Sequence, residues 1–307
     1  MLVTGASGLV GSSILRNLSS KFDAVVGISS KDLNLLDKPS TFSFIQDLKP
    51  KVIIAAAAKV GGIGGNSKFP VDYLSENLQM QANLFEAANA ANVQKVVFFG
   101  SSCIYPRNSE QPIKEEYLLT GPLEVTNSAY AIAKIAGLEL INAYRKQFDR
   151  KWFSVMPTNL YGPNDNFDLE TSHVLPALIR KIVDAKLSGS AEVILWGTGN
   201  PLREFLHVDD LASAIGTCLE KYEESQHINI GSAQEISIRD LARKIATKVG
   251  FFGNIVWDQS KPDGTPRKLL DSSKIRRLGW EPKIPLDIGI DSTIDWYQNT
   301  KIGESSS

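Results

Sequence analysis

The chain has 307 residues, 43% of them hydrophobic and 22% charged, with a formal net charge of −1. This is an ordinary globular balance for one large domain or two interlocked ones. It carries no strong field for nucleic acid or an anionic membrane. Its two cysteines, Cys103 and Cys218, are too few for a disulfide framework, and no apolar run is long enough to span a bilayer. A reduced, cytoplasmic setting is expected, and because Met1 leads directly into a strand no signal peptide is expected.

In chain order, Leu2 to Thr4 reads as a strand and Leu9 to Leu18 as a helix, with Thr4-Gly5-Ala6-Ser7-Gly8-Leu9-Val10-Gly11 between and across them. Glycine lets backbone turn tightly and approach a pyrophosphate, and the helix N-terminus offers free N–H groups and a favourable dipole. Gly5, Ala6, Ser7, Gly8, Leu9, Val10 and Gly11 are therefore the expected dinucleotide loop. Ala24 to Ile28 reads as the second strand, ending in Ser29, Ser30 and Lys31. An NAD site usually carries a carboxylate there. Two hydroxyls and a cation suit a 2′-phosphate better, which predicts NADP(H), although Asp32 stands close by.

Thr41 to Leu48 reads as a short helix, Val52 to Ala57 as a buried strand, and the glycine-rich Val60 to Asn66 as a loop on the nicotinamide side. Val71 to Ala91 is a long helix with apolar residues at helical spacing. Lys95 to Gly100 is the fourth strand, with Ser101 just beyond it, where ligands of open parallel sheets collect. Ala129 to Gln147 is a second long helix. On it Tyr130 and Lys134 lie four residues apart and share a face. A tyrosine titrates near ~10. An adjacent ammonium is expected to lower that value, so that the phenol can trade a proton with a carbonyl while the lysine holds a ribose.

Trp152 to Met156 is the fifth strand. After it come a helix from His173 to Ala185, extended segments at Val193 to Trp196 and Glu204 to His207, and a helix to Leu219 capped by Asp209. A strand at Ile228 to Ile230, a helix from Ser237 to Val249, a strand at Ile255 to Trp257 and a final helix near Ile288 to Tyr297 complete the reading. Alternating strands and helices predict an α/β chain. The fold class is a Rossmann-type doubly wound parallel sheet with a smaller, interleaved C-terminal α/β substrate domain. Residues 1–163 with 203–232 are expected to hold the dinucleotide, and 164–202 with 233–307 the substrate. Cys218 lies in an apolar helix and reads as core; His207 reads as structural, and His227 has no visible partner. No cysteine and histidine spacing fits zinc, so no metal is expected.

A glycine loop, a serine at a strand end and Tyr-x-x-x-Lys, in this order, resemble the short-chain dehydrogenase/reductase superfamily. The length and appended C-terminal portion resemble its extended branch, which acts mostly on nucleotide-sugars. The stretches 56–63, 100–106, 130–134, 157–163, 172–174, 203–210 and 261–268 resemble the GDP-L-fucose synthase family in particular. This resemblance implies 3,5-epimerisation of GDP-4-keto-6-deoxy-D-mannose followed by NADPH-dependent reduction at C4. Ser101, Tyr130 and Lys134 match the reductive residues, and Cys103 and His173 match the epimerisation pair. The resemblance further implies dinucleotide contacts from Gly100, Ser101, Lys134, Pro157, Thr158, Asn159, Leu160 and His173. Substrate contacts are expected from Lys181, Trp196, Arg203 and Asp263, with Arg267 and Lys268 either ligands or solvated surface. The implied partners are a small GDP-sugar and a second copy joined through a four-helix bundle of the two long helices, with no nucleic acid and no membrane. Related 4-epimerases, 4,6-dehydratases and a non-catalytic cofactor-binding regulator are the competing readings. Ser102-Cys103 stands where dehydratases carry Asp-Glu, and the retained Tyr130 and Lys134 disfavour a regulator.

Overall fold

The three-dimensional structure is a computed structural model that describes residues 1–305. β1 (Leu2–Thr4), α1 (Leu9–Leu18), β2 (Val26–Ile28), α2 (Lys38–Leu48) and β3 (Val52–Ala55) open the chain. α3 (Ile63–Lys68), α4 (Pro70–Ala90), β4 (Lys95–Phe99), α5 (Ser128–Phe148), β5 (Phe153–Pro157) and β6 (Asn159–Tyr161) follow. The second half holds α6 (Val174–Leu187), β7 (Glu192–Trp196), β8 (Leu202–His207), α7 (Val208–Lys221) and β9 (Ile228–Ile230). β10 (Glu235–Ser237), α8 (Ile238–Val249), β11 (Asn254–Asp258), β12 (Arg267–Lys268), α9 (Ser273–Arg277) and α10 (Leu286–Ser305) complete it.

Six strands form one parallel sheet in the order β2-β1-β3-β4-β5-β9. Its inner strands are near-continuous apolar runs because helices cover both faces. On one face α2, α4 and α5 bury Ile45, Leu84, Phe85, Phe98, Leu138 and Trp152. On the other α1, α7 and α9 bury Ile14, Leu18, Leu211, Ile215, Ile275 and Trp280. The chain winds outward in opposite directions from β1 and β3, so the carboxyl ends of these two strands open a crevice, the usual ligand position in such sheets.

A second core gathers Tyr161, Phe167, Leu178, Ile182, Phe205, Leu241, Ile245 and Ile290 from α6, α8, α10 and the strands beside them. β8 pairs with β6 and β12 in parallel and with β10 antiparallel, and β7 pairs in parallel with β11. Glu204 on β8 is fully buried, and its carboxylate accepts from Ala233 N at 2.6 Å and Leu270 N at 3.0 Å. One side chain thus ties both returning segments of the second half to β8. No helix among the described residues is long and apolar enough to cross a membrane.

Several boundaries differ from the sequence reading for local reasons. α2 starts three residues earlier than expected, since Asp37 caps the backbone of Ser40 and Pro39 is tolerated in the first turn. α7 is capped by His207, whose ring accepts from Asp209 N at 3.3 Å. Asp209 is therefore not the cap. Its carboxylate reaches across to α1 and accepts from Ser13 at 2.6 Å, Arg16 at 2.8 Å and Asn17 at 2.9 Å. α3 occupies part of the stretch expected to be loop. The short β6, β10, β12 and α9 carry too few residues to show a period.

His227 acquires the partner that sequence could not show. Its Nε2 lies 2.8 Å from the Tyr105 hydroxyl, which also donates to Asn229 Oδ1 at 2.6 Å. Burial pushes the His227 imidazole down from 6.5 to about 4, with the Lys274 charge adding to the effect. Between those values the unfolded chain binds the extra proton. This contribution to stability is fully present above pH 6.5 and is lost as pH falls toward 4. Its size is on the order of 3 kcal/mol. Urea unfolding of His227→Gln is expected to show a shallower pH dependence across that window than the natural chain; an identical slope would assign the dependence to another group.

Candidate active site

The crevice at the carboxyl ends of β1 and β3 deepens into a cavity of about 850 Å³. At its β1 end Gly5 adopts φ +66°, a left-handed backbone that favours glycine. A Cβ on Gly11 would lie 2.1 Å from Gly5 O, so the first turn of α1 presses directly on the strand-to-helix turn. α1 has no acidic residue in its first turn and no side-chain cap, leaving its N–H groups and dipole free for an anion. Gly5, Ser7, Gly8, Leu9, Val10 and Gly11 all border the cavity, as do Ser29 and Ser30. The donor set fits a dinucleotide pyrophosphate.

Two expected cofactor residues are not on the cavity wall. Ala6 donates its N–H to Ile28 O at 2.9 Å, and its methyl faces Gly27 on β2. Lys31 is exposed beyond the rim, its N–H directed to Ser29 Oγ at 3.3 Å. The turn after β2 folds back on Asp32, which draws Ser29 inward and sends the lysine out.

At the ends of β4 and β5 the cavity is bordered by Gly100, Ser101, Cys103, Tyr130, Lys134, Pro157, Thr158, Asn159, Leu160 and His173. Lys134 is 2% exposed and donates to Phe99 O at 2.8 Å. Burial brings its ammonium down to about 7. Tyr130 stands one helical turn earlier, with the Lys134 nitrogen 5.7 Å from its ring centre. Its phenol is pushed above the ordinary value of 10, first by burial and then by the nearby Cys103 charge, while a hydrogen bond from Ser101 works the other way. The expectation that Lys134 acidifies this phenol is therefore not met. The ammonium is engaged with the β4 carbonyl, and desolvation dominates.

Cys103 lies in the turn after β4, where Ser101 Oγ accepts from its N–H at 3.2 Å. Two donors converge on its sulfur, Asn127 Nδ2 at 3.2 Å and Lys268 Nζ at 3.6 Å. His173 stands at the N-cap position of α6, exposed on the border of the cavity. Burial and then the Lys268 charge hold its imidazole below the ordinary value, so it is neutral at pH 7. Lys268 thus belongs to the site, between the thiol and the imidazole. Arg267, the other residue left open by sequence, points away and pairs with Glu235 at 2.8 Å.

The remaining expected residues form the far end. Lys181 donates to Ile194 O at 3.2 Å and lies 5.2 Å over the Trp196 ring, with Lys261 at 5.5 Å. Arg203 Nη2 reaches Asp263 O at 3.4 Å. Both Asp263 carboxylate oxygens are taken by Thr198, at 2.8 Å from its N–H and 2.7 Å from its hydroxyl. Asp263 thus joins the 197–200 turn to the 262–265 loop. The amino-acid sequence did not single out Asn127, Asn164 to Asn166 or Leu169 to Thr171, which also border the cavity. Asn127 could have been found as the residue just before the Tyr130 helix. The 164–171 loop carries no period and no motif.

Fold and site together define a dinucleotide-dependent oxidoreductase of the kind that pairs a half-buried tyrosine with a lysine one helical turn on. Residues 1–231 match the profile of the NAD dependent epimerase/dehydratase family, and the chain belongs to that family. It is 53% identical to the probable GDP-L-fucose synthase 1 of Oryza sativa subsp. japonica, covering 97% of this chain and 91% of that protein. Among solved structures, a GDP-L-fucose synthetase from Naegleria fowleri bound to NADP superposes with TM-score 0.90 at 31% identity, covering 98% and 94% of the two chains. A GDP-6-OMe-4-keto-L-xylo-heptose reductase from C. jejuni gives TM-score 0.92 at 33% identity, with 97% of each chain covered.

The Gly5–Gly11 contact yields a direct test. Gly11→Ala forces a methyl into backbone and is expected to cost about 1–3 kcal/mol of stability. In urea melts and fluorescence titrations with NADPH, it should also weaken the Kd by about tenfold or more. Unchanged affinity would mean that the pyrophosphate does not sit at this turn.

Proposed function

We infer that this chain is an NADP(H)-dependent enzyme that converts GDP-4-keto-6-deoxy-D-mannose to GDP-L-fucose by epimerisation at C3 and C5 and then reduction at C4. The observation that carries this reading is that Cys103, His173 and Tyr130 all border one cavity, with Lys268 on the thiol and Ser101 beside the phenol. Half-identity to a GDP-L-fucose synthase over nearly the whole chain supports the choice of substrate. Residues 1–163 with 203–232 hold the dinucleotide. Residues 164–202 with 233–307 close over the sugar-nucleotide, whose diphosphate and base meet Lys181, Trp196 and Arg203.

The C4 ketone acidifies the protons at C3 and C5. Between Cys103 Sγ and a ring nitrogen of His173, one group takes such a proton and the other returns one to the opposite face. Tyr130 and Ser101 hydroxyls hold the C4 oxygen while it carries the enolate charge. When bound, NADPH supplies the hydride for C4. Tyr130 then donates its hydroxyl proton to that oxygen, and the neighbouring Lys134, poised near neutrality, favours proton return to the phenol. Arg203 and Lys181 orient the substrate from its phosphate end.

The test is turnover in deuterated water. The product is expected to carry deuterium at C3 and C5 with loss of one NADPH. Tyr130→Phe should lower reduction by roughly 10²–10⁴-fold, while still exchanging substrate protons. Cys103→Ser should suppress exchange more than reduction. Reduction without label would favour the second reading, a plain C4 ketoreductase, for which the likeness to the heptose reductase speaks.

The chain is further read as a cytoplasmic homodimer. Val71 on α4 and Ile132 on α5 are 72% and 49% exposed on neighbouring helices that pack on one another, an arrangement suited to a four-helix bundle. Light scattering is expected to give twice the chain mass; a monomer at micromolar concentration would refute the bundle.

A further inference from the structure

Among the described residues five carboxyl groups border the cavity, and most of their oxygens are engaged within the protein. Glu76 holds Lys59 at 2.6 Å, and Glu170 is paired with Lys68. Thr198 takes both oxygens of Asp263. Asp165 accepts from Asn166 N at 2.8 Å, and burial pushes its carboxyl up to about 7. The fifth, Glu124, is only 7% exposed and is not used by the chemistry described so far.

Glu124 Oε1 accepts from Thr126 N at 3.3 Å and from Thr126 Oγ1 at 3.2 Å, which fixes the side chain at the head of the turn before α5. Its Oε2 is buried and accepts no hydrogen bond. Arg107 Nε, on a half-exposed side chain, stands 3.2 Å away as an ion-pair partner only. A carboxylate oxygen has two lone pairs, and burying it without a donor is costly. A ligand hydroxyl bound in the cavity would supply that donor.

The surroundings of Glu124 select the hydroxyl. Glu124 opens the turn in which Asn127 donates to Cys103 Sγ at 3.2 Å. It also acts on Arg203: burial holds that guanidinium below its ordinary value, and the Cys103, Asp263 and Glu124 charges oppose the shift. Glu124 thus stands near both the thiol and the arginine. In the reading above, the arginine meets the diphosphate, which is attached at C1, and the thiol works at C3 and C5. The carbon between C1 and C3 is C2. Its hydroxyl is a donor and keeps its configuration while C3 and C5 invert. We propose that Glu124 Oε2 accepts the C2 hydroxyl of the sugar, so that it selects a hexose with a donor at C2 and anchors the ring during inversion at its neighbours. The inference rests on the reading that the cavity binds a GDP-sugar.

The full chain, loaded with NADP, is titrated calorimetrically with GDP-L-fucose and with the analogue whose C2 hydroxyl is replaced by fluorine. Fluorine is small and cannot donate. The natural chain is expected to bind the fluoro analogue about tenfold or more weakly, the effect of one hydrogen bond to a charged group. Glu124→Gln keeps an oxygen for Thr126 and puts an NH2 group in place of Oε2. It should close the gap between the two sugars to within about threefold. A role confined to shaping the turn would weaken both sugars alike and leave the gap intact. Equal Kd values for the two sugars in the natural chain, or a gap that Glu124→Gln leaves intact, overturns the proposal. The first comparison needs no variant, so it decides the matter even if Glu124→Gln does not fold. A natural chain that binds neither sugar would instead overturn the GDP-sugar reading beneath it.

Discussion

The buried ammonium of Lys134 is the contact on which the site depends. An amine this deep is costly unless it is paired, and its bond to Phe99 O offsets part of that cost at the point where β4 ends. The Phe98 ring, with its centre 4.9 Å from the same nitrogen, adds a cation–π contact. α5 is therefore docked on the strand end in one rotational setting. Tyr130, one turn earlier, must then stand over the cavity beside Ser101. Burial also brings the lysine to about 7, so the group that fixes the geometry can exchange a proton near neutrality.

The chain between β4 and α5 closes on itself around this clamp. Ser101 holds the backbone of Cys103, and Asn127, at the start of α5, donates to its sulfur. Two residues beyond the thiol, Tyr105 is anchored to His227 and Asn229 beside the last strand of the sheet. From the C-terminal portion Lys268 reaches the same sulfur, and it sits on β12, paired in parallel with β8. The thiol is thus placed by segments more than a hundred residues apart. The imidazole of His173 arrives from the other core, at the head of α6. Two hydrophobic cores with one cavity between them supply what neither could build alone.

The principal elements of the sheet were legible because their signals are local. Val52 to Ala55 and Val96 to Phe99 are apolar throughout, as strands covered on both faces must be. α4 and α5 show helical spacing over twenty-one residues each. Tyr130 and Lys134 were legible as a pair because four residues is one helical turn. The residues of the loops were not. Asn127, Asn164 to Asn166 and Leu169 to Thr171 border the cavity through tertiary placement, and no period distinguishes them. Arg267 and Lys268 illustrate the limit. They are adjacent and both basic, and strand alternation sends one to Glu235 and the other to Cys103.

By itself the amino-acid sequence determined the parallel α/β architecture, the glycine turn that opens it, and the tyrosine and lysine on one helix face. Each of these follows from residues close enough in the chain to act through backbone geometry. Only the tertiary structure decided which charges face which. It turned Lys31 out and Asp32 onto Ser29, gave Asp209 to α1 while His207 took the helix cap, and raised the pKa of Tyr130 where a lysine neighbour alone would lower it. Desolvation and long-range pairing are set by everything packed around a group, and those surroundings exist only once distant segments have been brought together.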